Sequence, residues 1–161
     1  MNDIKKLWAP WRTAYLRPLS GRRSDKKCIF CAAIAAPEKK MVVSANKKAF
    51  SVLNIYPYNN GHIMVAPRRH IADIGGLSEE EVVCLFAMLK ETRALLSERL
   101  GPDGFNIGIN EGRAAGAGVP GHLHIHIVPR WNGDTNFMPV TGGIKVISQS
   151  LKELLRLLKK K

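Results

Sequence analysis

Three histidines alternate with apolar residues in the segment Gly-His-Leu-His-Ile-His-Ile-Val-Pro, which spans residues 121–129. A period of two is the periodicity of a β-strand. His122, His124 and His126 are therefore expected to project from one face of a strand, while the apolar residues pack on the other face. Three imidazoles carry six ring nitrogens, and each buried nitrogen needs a hydrogen-bond partner. A hydrophobic core disfavours such a row, so the segment predicts a strand that carries a functional site.

Two simpler explanations of the histidine row remain open from the residues alone. A partly solvated edge strand can turn its histidines toward water, and a structural metal cluster can use them as ligands. A chemical role is favoured because an imidazole can attack phosphorus when its other nitrogen donates to a fixed acceptor, which sets the tautomer. The central residue of the row has a neighbour on each side to orient it. We therefore predict that His124 is a nucleophile.

The other periodicities predict a mixture of short strands and two helices. Strands are expected at residues 49–54, 61–67 and 105–110, and a turn rich in Pro, Asn and Gly joins the first two into a hairpin. A capping box predicts a long helix over residues 78–100, and a second amphipathic helix is expected at residues 151–158. Apolar residues recur at helical spacing in the long helix, at Val82, Leu85, Phe86, Leu89 and Leu96. The fold class is therefore α+β, with helices packed against an antiparallel sheet.

The length of 161 residues, with 45% hydrophobic and 24% charged residues, suits one domain with a proper core. No apolar run approaches the roughly 20 residues that cross a bilayer, and the first eleven residues lack the apolar core of a secretory signal. We therefore expect a cytoplasmic protein without a membrane span. Pro18, Gly21 and mixed charges interrupt any periodicity before the first cysteine. This predicts an N-terminal arm at residues 1–27 and the folded domain at residues 28–161.

A formal net charge of +12 predicts a surface that attracts polyanions and phosphorylated ligands. Part of the excess lies in turn and terminal segments at residues 22–27, 38–40 and 159–161, where charge runs are usually solvated. Nucleotide and nucleic acid are both compatible with the charge. We expect a nucleotide ligand and keep nucleic-acid end processing as an alternative.

Cys28 and Cys31 form a Cys-x-x-Cys pair, which is a spacing common in zinc sites and needs two further ligands. His70, at the end of Pro-Arg-Arg-His, and His122 are the candidates, and the resulting closed site would be structural. The alternative is that the two cysteines are reduced and pack as small hydrophobic residues. The third cysteine, Cys84, stands alone, so no disulfide framework is expected.

A loop rich in Gly and Ala at residues 112–118 comes just before the histidines. Small residues let backbone N–H groups approach phosphate oxygens closely, as anion-binding nests do. Plain flexibility explains the same composition. The loop is therefore a candidate phosphate site that needs support from other residues.

The heptapeptide at residues 122–128 resembles the H-φ-H-φ-H-φ-φ signature of the histidine triad (HIT) superfamily. The resemblance covers nearly the whole chain, since Cys-Ile-Phe-Cys at residues 28–31, Asn54 eight positions before His62, and Asn-Glu-Gly at residues 110–112 follow in the family's order. The most similar branch contains diadenosine tetraphosphate phosphorylase-like proteins and Fhit-type dinucleoside polyphosphate hydrolases. The resemblance implies a HIT-like antiparallel sheet of about five strands with one long helix and a C-terminal helix. It also implies a homodimer whose sheets join, with the long helix at the interface.

The resemblance further implies that His124 attacks the α-phosphate of a nucleotide and forms a covalent nucleotidyl-histidine, which water or phosphate then releases. It places His126, His62 and Asn110 at the phosphate centre. The implied nucleotide-binding residues are Asn54 at the ribose, Ile29, Phe30 and Ile55 around the base, and Gly118 at the phosphates. The implied zinc ligands are Cys28, Cys31, His70 and His122.

The function that the resemblance implies is a nucleotide hydrolase or transferase that cleaves a dinucleoside polyphosphate such as diadenosine tetraphosphate. Hydrolysis of nucleoside phosphoramidates and purine-nucleotide binding with little turnover remain as alternatives that use the same residues. The segment at residues 116–121 departs from the family pattern, because it has no hydroxyl where many relatives have one and is one residue longer. This departure gives more weight to backbone donors at the phosphates.

Overall fold

The computed structural model describes residues 28–143 and 146–159. Contacts divide them into two units, one formed by residues 28–132 and 147–159 and the other by residues 133–143 and 146. The predicted arm at residues 1–27 lies outside the described residues. Within the described ranges, none of the helices combines the length and the apolar character needed to cross a membrane.

The larger unit contains all the strands that the structure describes. The strands are β1 (Val42–Ala45), β2 (Ala49–Leu53), β3 (Ile63–Pro67), β4 (Gly104–Ile109) and β5 (Ile125–Arg130). Its α-helices are α1 (Ile29–Ala35), α2 (Glu79–Leu100) and α4 (Leu151–Lys159), and 3₁₀ turns occur at Pro37–Lys39 and Ile74–Gly76. The smaller unit contains the short helix α3 (Met138–Thr141).

The strands form one antiparallel sheet in the order β1-β2-β3-β5-β4. The α+β class and the five-stranded sheet are therefore confirmed. The predicted hairpin is present as β2 and β3, and its turn requires glycine at one position. Gly61 has a φ of +77°, and a Cβ there would lie 2.6 Å from Leu100 and 2.9 Å from Pro129. Because glycine adopts a positive φ without strain and has no Cβ to clash with these two side chains, the chain can turn tightly just before His62.

The histidine segment enters the sheet later than predicted. β5 begins at Ile125, so His126 alone of the three histidines lies in the strand. Upstream, the N–H of Leu123 donates to the carbonyl of Ile71 (2.6 Å), which takes this group out of the sheet ladder. The prediction that all three histidines lie in one strand is therefore wrong for the first two.

Alternate residues of the strands point to opposite faces of the sheet and pack into two separate hydrophobic cores. One core joins the sheet to α2 and α4; its buried residues are Ala49, Leu53, Ile63, Val65, Leu85, Met88, Leu89, Leu96, Ile125, Ile127, Leu154 and Leu158. The other joins the sheet to α1 and contains Phe30, Ala33, Val42, Phe50, Val52, Met64 and Ala66. His126 pairs with Met64 in the sheet register, so it lies on the α1 face. The face opposite the long helix therefore carries the histidines.

α2 begins after the capping box at Ser78, as predicted. The residues of its predicted stripe that are buried are Leu85, Leu89 and Leu96. Val82 and Phe86 are 38% and 59% exposed, so these two residues of the helical pattern lie outside the buried stripe. Met88 and Thr92 complete the buried stripe instead, and the Thr92 hydroxyl donates to the carbonyl of Met88 (2.7 Å). This internal hydrogen bond lets a polar residue occupy a buried position.

Candidate functional site

The side chains of three histidines meet on the α1 face of the sheet. The ring centroids of His124 and His126 are 4.9 Å apart, and those of His62 and His126 are 5.1 Å apart. His126 lies in β5, and His62 comes directly before β3. The antiparallel pairing of these two strands brings together residues that are 64 positions apart in the sequence.

Hydrogen bonds set the tautomers of two of these rings. The backbone N–H of Tyr58 donates to Nδ1 of His62 (3.0 Å), so a neutral His62 carries its proton on Nε2. The Nε2–H of His62 donates to Nδ1 of His126 (2.9 Å). The Nδ2 of Asn54 also lies 3.3 Å from Nδ1 of His62. Because Nδ1 of His126 accepts the hydrogen bond from His62, a neutral His126 carries its own proton on Nε2, from which it can donate to a ligand.

His126 is held neutral by its surroundings. Burial, together with the neighbouring His124, lowers the pKa of His126 to about 4. At neutral pH the ring is therefore uncharged, and its interaction with an anion is a directed hydrogen bond rather than an ion pair.

His124 has the geometry of a nitrogen nucleophile. Because a carbonyl oxygen can only accept, Nδ1–H of His124 donates to the backbone carbonyl of His122 (2.8 Å). The lone pair of the neutral ring is therefore on Nε2. Burial lowers the pKa of His124, although the hydrogen bond to the His122 carbonyl opposes this effect. The ring of Phe30, with its centroid 4.9 Å away, packs against the imidazole and restrains it further.

Two cysteines and two histidines form a second cluster beside this one. Sγ of Cys28 lies 3.3 Å from Nδ1 of His122, and Sγ of Cys31 lies 3.8 Å from the same nitrogen. Sγ of Cys31 also lies 3.4 Å from Nδ1 of His70. All four ligand atoms lie within 4.8 Å of one another. Tetrahedral zinc, with bonds of about 2.3 Å to sulfur and 2.05 Å to nitrogen, separates S and N ligands by about 3.6 Å. The donor set and its spacing therefore fit a Cys2His2 zinc site.

The protonation states in this cluster also suit a metal. Nε2–H of His122 donates to the carbonyl of Pro67 (2.9 Å), which leaves the lone pair on Nδ1, facing the cysteines. Burial lowers the pKa of His122, and the neighbouring His70 and His124 contribute. Burial raises the pKa of the Cys31 thiol, and the neighbouring Cys28 contributes to the same effect. A divalent cation is the partner that favours both a neutral imidazole and a thiolate.

An ion pair anchors the segment that carries His70. The guanidinium of Arg69 donates to both carboxylate oxygens of Glu81, at 2.8 and 2.7 Å, and to the carbonyl of Gly76 at 2.7 Å. The same carboxylate accepts the N–H of Ser78 (2.9 Å) in the capping box of α2. Arg69 and then Ser78 lower the pKa of Glu81 to about 2. The clamp ties the residue before His70 to the beginning of α2.

The residues predicted to bind the nucleoside occupy different environments. Asn54 lies beside His62. Phe30 is only 1% exposed and packs against the triad rings. Ile29 and Ile55 are 54% and 57% exposed. Contacts of these residues with a nucleotide stay predictions.

The predicted phosphate loop follows Asn110, which comes directly after β4. Within the loop, the N–H groups of Gly116 and Ala117 donate to carbonyls of earlier loop residues, at 3.0 and 3.1 Å. These two donors are therefore engaged in turns. Gly118, the loop residue predicted to contact the phosphates, is half-buried, and this contact stays a prediction.

Three residues of the site have no predicted role there. The sequence pattern treats Tyr58 as part of a turn and Glu81 as part of a helix cap, and it includes Arg69 only in the segment that ends at His70. The contacts of Arg69 and Glu81 join segments 12 positions apart and cannot be read from local periodicity. An aromatic residue in a turn four positions before a candidate catalytic histidine is the signal that could have identified Tyr58.

An α+β fold whose antiparallel sheet carries a histidine cluster at the start of an inner strand defines a histidine-triad type of protein. Comparison with known proteins agrees with this class. Residues 36–133 match the HIT domain family. The chain is 37% identical to an AP-4-A phosphorylase of Mycobacterium tuberculosis over 98% of this chain and 84% of that protein. It is also 37% identical to an uncharacterised HIT-like protein of Methanocaldococcus jannaschii, over 66% of this chain and 81% of that protein. The chain belongs to the HIT family.

Solved structures of HIT proteins have the same fold. A hypothetical histidine triad nucleotide-binding protein from Sulfolobus tokodaii matches with a TM-score of 0.68 and 26% identity, over 82% of this chain and 89% of that one. A zinc-bound histidine triad family protein from Mycobacterium smegmatis matches with a TM-score of 0.67 and 28% identity, over 84% and 93% of the two chains.

The Arg69–Glu81 clamp predicts a specific acid sensitivity. The carboxyl of Glu81 has a pKa of about 2 in the folded protein and an ordinary pKa near 4.3 when unfolded. Its stabilising contribution is therefore complete above about pH 4.5 and is lost as the pH falls toward 2. We expect Glu81→Gln to be less stable than the parent at pH 7 and to lose less stability on acidification. Urea unfolding at pH 3, 5 and 7 with excess chelator measures both effects.

Glu80→Gln is the matched control, because Glu80 is the neighbouring residue and pairs with Lys47 on the surface. Exposed ion pairs contribute little, so this variant should follow the parent closely at all three pH values. Equal pH dependence of the parent and Glu81→Gln would contradict the role of the clamp.

Proposed function

We propose that the protein cleaves a dinucleoside polyphosphate, such as diadenosine tetraphosphate, at an α-phosphate through a covalent nucleotidyl intermediate on His124. The observation that carries this proposal is the state of the His124 ring, which is buried, neutral and held through Nδ1–H on the carbonyl of His122. Such a ring can attack phosphorus without first losing a proton.

In the first step, the Nε2 lone pair of His124 forms a bond to the α-phosphorus. The bond from that phosphorus to the bridging oxygen breaks, and the leaving nucleotide keeps the electron pair. In the second step, an oxygen of water or inorganic phosphate attacks the phosphorus and gives up its proton to solvent. The phosphorus–nitrogen bond then breaks, and its electron pair returns to Nε2.

The other residues act by orientation and hydrogen bonding. His126 donates its Nε2–H to a phosphate oxygen, and His62 orients it through the 2.9 Å hydrogen bond to Nδ1. Asn110 and Gly118 also contact the phosphates. The nucleoside is held by Asn54 at the ribose and by Ile29, Phe30 and Ile55 around the base.

Inorganic phosphate is the acceptor that the similarity favours. The Mycobacterium tuberculosis relative, 37% identical over nearly the whole chain, is named an AP-4-A phosphorylase. A phosphorylase of this type releases ADP and ATP from diadenosine tetraphosphate, whereas a hydrolase releases AMP and ATP. The two acceptors can therefore be distinguished by their products.

The test is incubation with diadenosine tetraphosphate, with and without inorganic phosphate, followed by separation of the products. We expect ADP and ATP only when phosphate is present; AMP and ATP without phosphate would keep the nucleophile and change the acceptor to water. His124→Ala should lower the rate at least about 10³-fold with an unchanged circular dichroism spectrum. Full activity of this variant would contradict the nucleophile. The absence of any product from the parent would contradict the substrate and favour a phosphoramidate substrate or a binding module.

We also propose that Cys28, Cys31, His70 and His122 hold one structural zinc ion. The support is the fit of four ligand atoms within 4.8 Å, together with the zinc in the Mycobacterium smegmatis neighbour. When bound, the metal would join the start of α1 to the segment before β5 and fix the thiolate states. The chemical steps at His124 do not involve it.

Metal analysis of protein purified without chelator tests the zinc proposal. We expect about one zinc per chain for the parent and a loss of most of it in Cys31→Ser, because a closed tetrahedral site needs all four ligands. Cys84→Ser is the control, since Cys84 lies in α2 and is not part of the cluster. A zinc content well below one in the parent, or an equal loss in both variants, would contradict the assignment.

The surface of α2 supports a homodimer as the assembly. Val82, Val83 and Phe86 form an apolar patch on the solvent side of α2, with exposures between 38% and 68%. β4 lies at one edge of the sheet and exposes Ile107. We propose that two copies pair through the α2 patch and join their sheets along β4.

Sedimentation measures this assembly directly. Phe86→Glu places a charge in the apolar patch, so it should shift a dimer of the parent to monomer. Ser148→Glu adds the same charge at an exposed residue outside α2 and should leave the dimer intact. A monomeric parent, or a Phe86→Glu variant that stays dimeric, would contradict the proposed interface.

A further inference from the structure

The turn between β2 and β3 places a half-exposed aromatic ring beside His62 and His126. The ring of Tyr58 lies 4.5 Å from the ring of His62 and 5.6 Å from that of His126, measured between centroids. It is 47% exposed. One part of the phenol ring therefore packs on the imidazoles, and another part faces solvent next to the proposed reaction centre.

The turn holds this ring in place. The N–H of Tyr58 donates to Nδ1 of His62, and the N–H of His62 donates to the carbonyl of Asn59 (3.2 Å). The side-chain amide of Asn59 donates to the carbonyl of Pro129 in β5 (3.1 Å). Because the backbone is fixed at both ends of the turn, a ligand that stacks on the ring loses little affinity to ordering the protein.

The same turn exposes further apolar surface. Tyr56, two positions before Tyr58, is 68% exposed, so the turn presents a second aromatic side chain to solvent. A cluster of this kind at the border of a polar site is typical of a surface that binds a flat apolar group. A nucleobase is the part of the proposed substrate with this chemistry.

The contacts of Tyr58 place it beside His126, the histidine proposed to donate to the reacting phosphate. His126 accepts from His62 at Nδ1, so its Nε2–H is the proton available for an oxygen of the reacting phosphate. Tyr58 contacts this histidine. Phe30, whose ring packs against His124, is only 1% exposed and leaves little surface for a second base. The exposed aromatic surface thus adjoins the donor histidine rather than the buried side of the nucleophile.

We propose that Tyr58 stacks on the nucleobase of the departing half of a dinucleoside polyphosphate. This inference rests on the proposed function, and it adds a subsite that distinguishes dinucleotides from ligands with one nucleoside. Every base has a π face, so the subsite tolerates different bases. The ring acts by binding, while the backbone N–H of the same residue orients His62.

Binding measurements in the His124→Ala background separate the subsite from turnover. The probes are diadenosine tetraphosphate and adenosine 5′-tetraphosphate, which have the same phosphate chain but two nucleosides and one. Tyr58→Leu removes the aromatic face and keeps the backbone N–H. We expect it to weaken binding of the dinucleotide about tenfold and to leave binding of the mononucleotide within about twofold.

Two further variants serve as controls. Tyr58→Phe keeps the ring, so it should bind both ligands as the parent does. Phe86→Leu removes a similarly exposed aromatic ring from α2, on the opposite face of the sheet, and should leave the ratio of the two affinities unchanged.

The outcomes distinguish the subsite from the function as a whole. An unchanged affinity ratio in Tyr58→Leu, in a protein that still cleaves the dinucleotide, would overturn the subsite alone. Equal weakening of both ligands would also overturn it, because the ring would then serve the common part of the ligand or the fold. If the parent neither binds nor cleaves diadenosine tetraphosphate, the proposed function fails, and the subsite fails with it.

Discussion

The hydrogen bond from Nδ1–H of His124 to the backbone carbonyl of His122 is the contact on which the site depends (2.8 Å). Because the acceptor belongs to the main chain, it cannot rotate away, and the lone pair of His124 stays on Nε2. The ring of the same His122 donates to the carbonyl of Pro67 and directs Nδ1 to the cysteines. His122 therefore orients the proposed nucleophile with its backbone and the candidate metal cluster with its ring. A displacement of the Cys-x-x-Cys segment reaches His124 through a single peptide unit.

The register of the sheet explains how His126, which is half-buried, keeps an accessible side. His126 of β5 lies between Met64 of β3 and Gly108 of β4, and partners in one row of a sheet share a face. Met64 is buried in the core under α1. A Cβ at Gly108 would have no heavy atom of the described residues within 4 Å. The row is therefore packed on one side of His126 and open on the other, which leaves room for a ligand next to its Nε2–H.

Local periodicity predicts the sheet, the hairpin and the capped helix, because each is encoded by residues that are close in sequence. It does not predict the tautomers, since His62 and His126 are 64 positions apart and the first donor is the main-chain N–H of Tyr58. Local periodicity also does not predict where β5 begins, because this depends on a backbone hydrogen bond from Leu123 to Ile71 in a distant loop. Similarly, the pattern in α2 identifies Phe86 as apolar, but only packing determines which apolar residues the sheet covers.

Surface charge and buried rings act on different steps of the proposed reaction. The net charge of +12 attracts a polyphosphate from a distance, and salt weakens this attraction beyond about 10 Å. Inside the site, burial lowers the pKa of His126 to about 4 and holds the pKa of His124 below its usual value, so both rings are neutral. A neutral donor attracts a resting phosphate less than a cation does, but its hydrogen bond strengthens as charge develops on the oxygens. The surface therefore concentrates the substrate, and the neutral rings favour the reacting state over the bound one.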